Sequence, residues 1–158
     1  MPRSPVTGVT DDPRAALVSA ALLLLSAPAV AQFYRFQYAA KIVCGKPPDH
    51  VRLVPQVYST AVNVHNPIDT VTFVLKKLAL TSPPGRQRPG KVIPITTDTL
   101  RGNEAFATDC QDIAARTGVG NTFEGFVVLE SNFSIDVTAV YAVPGGIDVE
   151  QIKERVLR

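Results

Sequence analysis

The residues best suited to nucleophilic, redox or metal chemistry in this 158-residue chain are two cysteines, Cys44 and Cys110, and two histidines, His50 and His65. Neither histidine belongs to a short-spaced ligand pair such as HxH or HExxH, so a metal site would have to be assembled by the fold from distant segments. Cys110 with His65 as base is the best covalent candidate, and it competes directly with a Cys44–Cys110 disulfide. A GxSxG elbow and a glycine-rich phosphate loop are both missing from the sequence. Asp109 and Asp112 flank Cys110 and could contribute to a calcium site, but acids at a helix start serve more commonly as caps, and no other part of an EF-hand loop accompanies them. Glu124 and Glu130 lie six apart on one expected strand and share a face, which reads as a solvated face rather than an acid and base pair. From these residues we assign no catalytic group, metal site or cofactor and read the chain as a non-enzyme.

Charge is distributed more unusually than the nucleophiles. Residues 32–97 contain nine Lys and Arg against Asp49 and Asp69, whereas residues 98–158 contain five against ten acids, giving halves of +7 and −5. Lys76, Lys77, Arg86, Arg88 and Lys91 occur with no acid from Thr70 to Thr97, and Ser82–Gly90 (SPPGRQRPG) is a basic connection rich in Pro and Gly. These five cations form a candidate patch for an anionic envelope polymer or lipid surface. A solvated loop with edge-protecting lysines is the plainer reading. Adjacent Lys76 and Lys77 point to opposite faces of a regular strand, so one enters the core unless a bulge, an edge position or a strand end intervenes. The patch lacks interleaved aromatics, and a net charge of +2 excludes a strongly basic nucleic-acid binder.

The amino terminus sets the compartment. Ala15–Leu25 (AALVSAALLLL) follows Arg14 and ends in Ser26-Ala27-Pro28-Ala29-Val30-Ala31, the pattern of a secretory signal peptide with cleavage before Gln32. A retained anchor is the alternative, although about 20 apolar residues are needed to span a bilayer and the run reaches that only through Pro28. No other segment is apolar enough to span. Export to an oxidising compartment favours pairing of Cys44 with Cys110.

The elements that would position these residues are strands. Apolar, β-branched and aromatic residues recur at period two between Pro, Gly, Asn and Asp punctuation, with strands expected near 33–43, 57–65, 70–80, 91–96, 104–109, 123–130 and 135–143. Seven short strands over residues 32–158 predict one antiparallel, immunoglobulin-like β-sandwich, with a small closed barrel as the alternative. Asn66-Pro67-Ile68-Asp69 must leave the ladder, because Pro67 has no amide hydrogen. Glu130–Ser134 reads as the clearest hairpin. Asp109–Arg116 reads as one or two helical turns capped by Asp109 and ended by Gly118. If the first and fifth strands both flank the second, Cys44 and Cys110 follow strand ends at the same pole.

Several segments carry a resemblance: Tyr38-Ala39-Ala40-Lys41 leading to Cys44-Gly45, Thr60–Pro67 (TAVNVHNP), Asp109–Ile113 (DCQDI), Glu124–Ser131 (EGFVVLES) and Ile135–Tyr141 (IDVTAVY). The chain resembles a family of uncharacterised secreted bacterial proteins with a signal peptide, two cysteines and a β-rich body. The resemblance implies export and bacterial origin, and carries no catalytic residues. The expected function is therefore a non-catalytic structural or binding module of the cell envelope or exterior, secreted or periplasmic. A small secreted enzyme and a metal or redox protein are the alternatives.

Overall fold

A computed structural model describes residues 33–47, 54–82, 85–86 and 88–158. The expected signal peptide, residues 1–31, and His50 lie outside these residues. The described strands are β1 (Phe36–Cys44), β2 (Ser59–His65), β3 (Thr72–Thr81), β4 (Pro89–Leu100), β5 (Ala105–Asp109), β6 (Phe123–Ser131), β7 (Asp136–Val143), β8 (Gly146–Gln151) and β9 (Arg155–Val156), with helix α1 (Cys110–Thr117) between β5 and β6. They form an antiparallel two-sheet sandwich, β4-β3-β6-β1-β9 against β5-β2-β7-β8, rather than a closed barrel. Alternation drives the layering: Tyr38, Ala40 and Ile42 of β1, Val74 and Leu78 of β3, and Val127 and Leu129 of β6 face Val62, Val64, Val137 and Ala139 of the other sheet, all of them buried.

Three sequence expectations change. The chain has nine strands among the described residues, not seven. β8 escaped because its Ile147-Asp148-Val149-Glu150 alternation is short, and every residue of that edge strand is exposed, so it buries no apolar face. β4 runs well beyond 91–96, with Pro89 and Pro94 tolerated because it is an edge strand. The Glu130–Ser134 connection is not a hairpin: β6 and β7 belong to different sheets, so the segment is an arch between them. Its polar groups are consumed by that crossing. The Asn132 side chain accepts from Phe73 N at 2.8 Å, Ser131 Oγ donates to Phe133 O at 2.7 Å, and the buried Tyr38 hydroxyl accepts from Ile135 N at 2.9 Å.

The Asn66–Asp69 turn is a second arch, carrying the chain from β2 to β3. Asn66 is fully buried and its Nδ2 reaches Thr70 O at 2.9 Å, Arg101 O at 3.0 Å and Leu100 O at 3.3 Å. It thus holds the β2–β3 and β4–β5 crossings together. α1 is capped as its sequence implies, with Asp109 Oδ1 accepting from Asp112 N at 2.8 Å and Gly118 in the left-handed region at φ 69°.

Candidate functional site

The two cysteines come together in a disulfide with a Cα–Cα distance of 5.6 Å. The strand order inferred from sequence is corrected. β5 does lie antiparallel beside β2, but β1 lies in the opposite sheet between β6 and β9, and just past its end Gly45 bridges Tyr58 at the approach to β2. Cys44 is the core-facing end of β1, and Cys110, the first residue of α1, steps inward from the end of β5 to meet it. The bond therefore staples one sheet to the other. Thr60 reinforces it: its hydroxyl accepts from Val43 N at 3.1 Å and donates to Val43 O at 3.0 Å, while Thr60 N donates to Cys110 Sγ at 3.3 Å. The Thr60 hydroxyl thus satisfies both backbone groups of Val43, on a stretch of β1 beyond the reach of β9, which pairs only with Phe36 and Gln37.

The five-cation patch divides. β3 keeps strict alternation through the two lysines, so Lys76 enters the core and Lys77 faces outward. The irregularity opposite them is in β4, where Thr96 pairs with Lys76 and Pro94 with Lys77, leaving Ile95 as the extra residue. Lys76 is 3% exposed, and its Nζ lies 2.6 Å from Asp98 Oδ2 and 4.5 Å from the Phe106 ring centre. Lys77 Nζ meets Glu130 Oε2 at 2.8 Å. Both lysines are therefore ion-paired within the fold. Arg86, Arg88 and Lys91 are exposed at the β3–β4 turn, and no acid pairs with them among the described residues.

The half-chain charge imbalance has the same explanation. Lys41–Glu124, Lys76–Asp98 and Lys77–Glu130 each join a cation of residues 32–97 to an acid of residues 98–158. Two of these pairs arise because the acidic strand β6 sits between β1 and β3. Glu124 and Glu130 share a face as expected, but as the partners of these lysines, with Gln37 Nε2 also donating to Glu130 Oε1 at 3.3 Å.

His65 Nδ1 lies 3.1 Å from Asp136 Oδ2 on the outer face of β2 and β7, in a shallow depression lined also by Asn63, Phe106 and Thr138. That face is turned away from Cys110, so the Cys110–His65 pairing is not assembled. Asp109 is occupied as the helix cap. Burial works against ionisation of Asp112, but the Arg116 guanidinium at 2.7 Å and the Thr108 hydroxyl at 2.6 Å outweigh it and hold the carboxyl below its ordinary value. Among the described residues, no three His, Cys, Asp or Glu side chains converge, and no helix is long and apolar enough to cross a membrane.

No family model and no curated protein matches the chain. A solved structure titled "Crystal Structure of Thermotoga maritima 1070" aligns with 78% of this chain and 91% of its own at 7% identity, with a TM-score of 0.46. At that level it informs neither function nor site.

A groove invisible to sequence reasoning lies beside the staple. It measures about 380 Å³ and runs between β1, at Lys41 and Val43, and the β7–β8 hairpin, at Tyr141, Val143, Ile147 and Asp148, with Tyr58 and Thr60 between. Burial, then Glu150 and Asp148, push the Tyr141 phenol up to about 12, and its hydroxyl donates to Glu150 Oε2 at 3.3 Å. The only sequence signal for this groove was the Ile147-Asp148-Val149-Glu150 alternation of β8. Its pairing with β7, not its composition, brings Tyr141 to the lip.

Proposed function

We propose that this chain is an exported, non-catalytic binding module of a bacterial cell envelope or exterior, and that the β3–β4 turn is its contact for an anionic polymer. One observation carries the reading: the fold neutralises Lys41, Lys76 and Lys77 against acids, yet leaves Arg86, Arg88 and Lys91 exposed and unpaired among the described residues. The disulfide supports an oxidising compartment. The leader-like run and the resemblance to secreted bacterial proteins support the same setting.

The test uses an anionic polysaccharide, polygalacturonate, at graded ionic strength. Exposed contacts are screened over about 8 Å at physiological salt, so affinity should fall as salt rises. Replacing Arg86, Arg88 and Lys91 together by Ser should abolish most of that binding and leave the thermal midpoint in place, because solvated loop charges contribute little to folding. Binding indifferent to both salt and the triple change would remove the turn from the mechanism. Mass determination of the exported protein should place its amino terminus at Gln32; recovery with residues 1–31 attached would instead establish an anchor.

A further inference from the structure

The pole opposite the disulfide carries half of the large apolar side chains that the sandwich leaves exposed among the described residues. Twelve large apolar side chains are exposed among the described residues, and six of them, Phe33, Ile68, Val71, Phe133, Val156 and Leu157, lie in the segments that begin β1, arch from β2 to β3 and from β6 to β7, or surround β9. Phe33 is 49% exposed and Val156 65%. These segments are joined to one another. Arg35 N donates to Ser131 O at 2.8 Å, Leu157 N donates to Arg35 O at 2.7 Å, and Ser131 Oγ reaches Phe133 O at 2.7 Å. Phe33 packs at a tilt against Phe73 with ring centres 5.3 Å apart, and Phe73 N is held by Asn132. The apolar tips therefore form one surface rather than scattered exposures, and surfaces of this kind mark contact with a partner or a membrane.

Charge at the same pole selects the partner. Arg35, Arg155 and Arg158 are exposed beside these tips, and none of them is paired with an acid among the described residues. The pole also carries exposed acids, which keep their charge while hydrogen-bonded within the fold: Glu154 to the Tyr38 hydroxyl at 2.8 Å, Glu104 to Arg101 N at 2.8 Å, Asp69 to Asn103 Nδ2 at 3.4 Å and Asp136 to His65. All but Glu154 lie on the side of β2, the β2–β3 arch and the β4–β5 crossing, away from the β1 and β9 segments that carry the three arginines. The chain also reaches the sandwich here, so cleavage before Gln32 leaves an α-ammonium group one residue from Phe33. Apolar and aromatic tips with cations beside Phe33, Val156 and Leu157 match the interface of an anionic bilayer, where rings and aliphatic tips enter the headgroup boundary and cations meet lipid phosphates.

We propose that this pole docks on an anionic lipid bilayer. The inference goes beyond the polymer-binding turn, which lies at the other end of β3, about 30 Å away for ten residues of extended strand. Docking by the Phe33 pole holds that turn away from the membrane, so the module spans from lipid to polymer.

The chain contains no Trp, so single tryptophans introduced by Phe133→Trp and, as a control on β4, Val92→Trp report each location separately. The probe is phosphatidylglycerol–phosphatidylcholine vesicles carrying a brominated acyl chain, added to the protein as recovered from the exported fraction. Position 133 is remote in sequence from the leader, so its signal reports the pole itself. The expected result is a blue shift and quenching for Phe133→Trp, little of either for Val92→Trp, and an about tenfold weaker partition when Ile68→Ser and Leu157→Ser are added, the loss of apolar contact at the interface. Arg35→Ser, Arg155→Ser and Arg158→Ser should remove the preference for anionic over zwitterionic vesicles. Arg86→Ser, Arg88→Ser and Lys91→Ser should leave quenching unchanged, which separates this proposal from the polymer reading. An unquenched position 133, or equal quenching at 92, overturns the proposal. A blue shift that grows with protein concentration without vesicles also overturns it, showing that a second copy covers the pole.

Discussion

Lys76 and Asp98 form an ion pair across the β3–β4 edge, with Nζ 2.6 Å from Oδ2, in which the cation is buried and the carboxylate half open to solvent. The two residues are diagonal neighbours on one face, since Asp98 is opposite Val74 and Lys76 is opposite Thr96. Asp98 Oδ2 is buried yet lacks a well-directed hydrogen bond, so its contact with Lys76 is chiefly Coulombic. The Phe106 ring supplies the remaining favourable contact to the ammonium group.

Removing the two partners should not cost the same. Asp98→Ala strands a buried ammonium group and should lower stability by about 1–3 kcal/mol, less than for a fully buried pair because Asp98 is partly solvated. Lys76→Met keeps most of the volume, removes the buried charge and leaves a carboxylate that can hydrate, so it should be near neutral. Urea unfolding of the two variants and of the double change checks this. A Lys76→Met loss as large as that of Asp98→Ala would show the pair to be net stabilising.

The inter-sheet disulfide makes a second prediction. Cys44 and Cys110 are 66 residues apart in sequence, and closing a loop of that size stabilises by about 4 kcal/mol in the chain-entropy model. Cys44→Ser with Cys110→Ser should therefore lower the thermal midpoint strongly, with local opening greatest in β1 from Ala39 to Cys44, where β9 gives no cover. Hydrogen exchange resolved by segment measures it. Denatured, unreduced protein should show no titratable thiol.

What was legible in the sequence was local. Alternation along Thr72–Leu80 identifies a strand and also exposes the conflict at Lys76 and Lys77, because period two fixes faces residue by residue. Asp109 and Gly118 mark α1 because caps act through their own neighbours. Alternation does not say which strand lies beside which. That is why alternation alone leaves room for β1 beside β2 and for a hairpin at Glu130–Ser134, where the fold has an arch, although Cys44 and Cys110 do pair. The charge halves misled for the same reason, since only the placement of β6 between β1 and β3 reveals that Glu124 and Glu130 are the counterions of Lys41 and Lys77.

Asn66 is a third test, because its carboxamide serves two chain crossings at once. Asn66→Ala leaves the carbonyls of Thr70 and Arg101 without their shared donor. An unsatisfied buried polar group costs about 1–3 kcal/mol, so a loss near the upper end is expected. Asn66→Asp keeps the shape but turns the donor into an acceptor facing carbonyl oxygens, and should be worse. An Asn66→Asp variant as stable as the parent would show that Nδ2 is not the working atom.

The alkaline limb of stability should depend on Tyr38. Burial pushes its phenol up to about 12, the hydrogen bond from Ile135 N opposing this and the Glu154 carboxylate reinforcing it. The native state therefore keeps the phenolic proton that the unfolded chain releases near its ordinary value of about 10. A raised folded value contributes stability that is complete below pH 10 and disappears as pH climbs through 12. The unfolded state binds fewer protons in that window, so the free energy of unfolding must fall with rising pH, by on the order of 1–2 kcal/mol for this residue. Tyr38→Phe removes the titrating group together with its hydrogen bonds to Ile135 and Glu154. It should start lower at pH 8 and lose less between pH 10 and 12 than the parent. Parallel curves for the two proteins across that range would mean that Tyr38 titrates alike in the folded and unfolded chains.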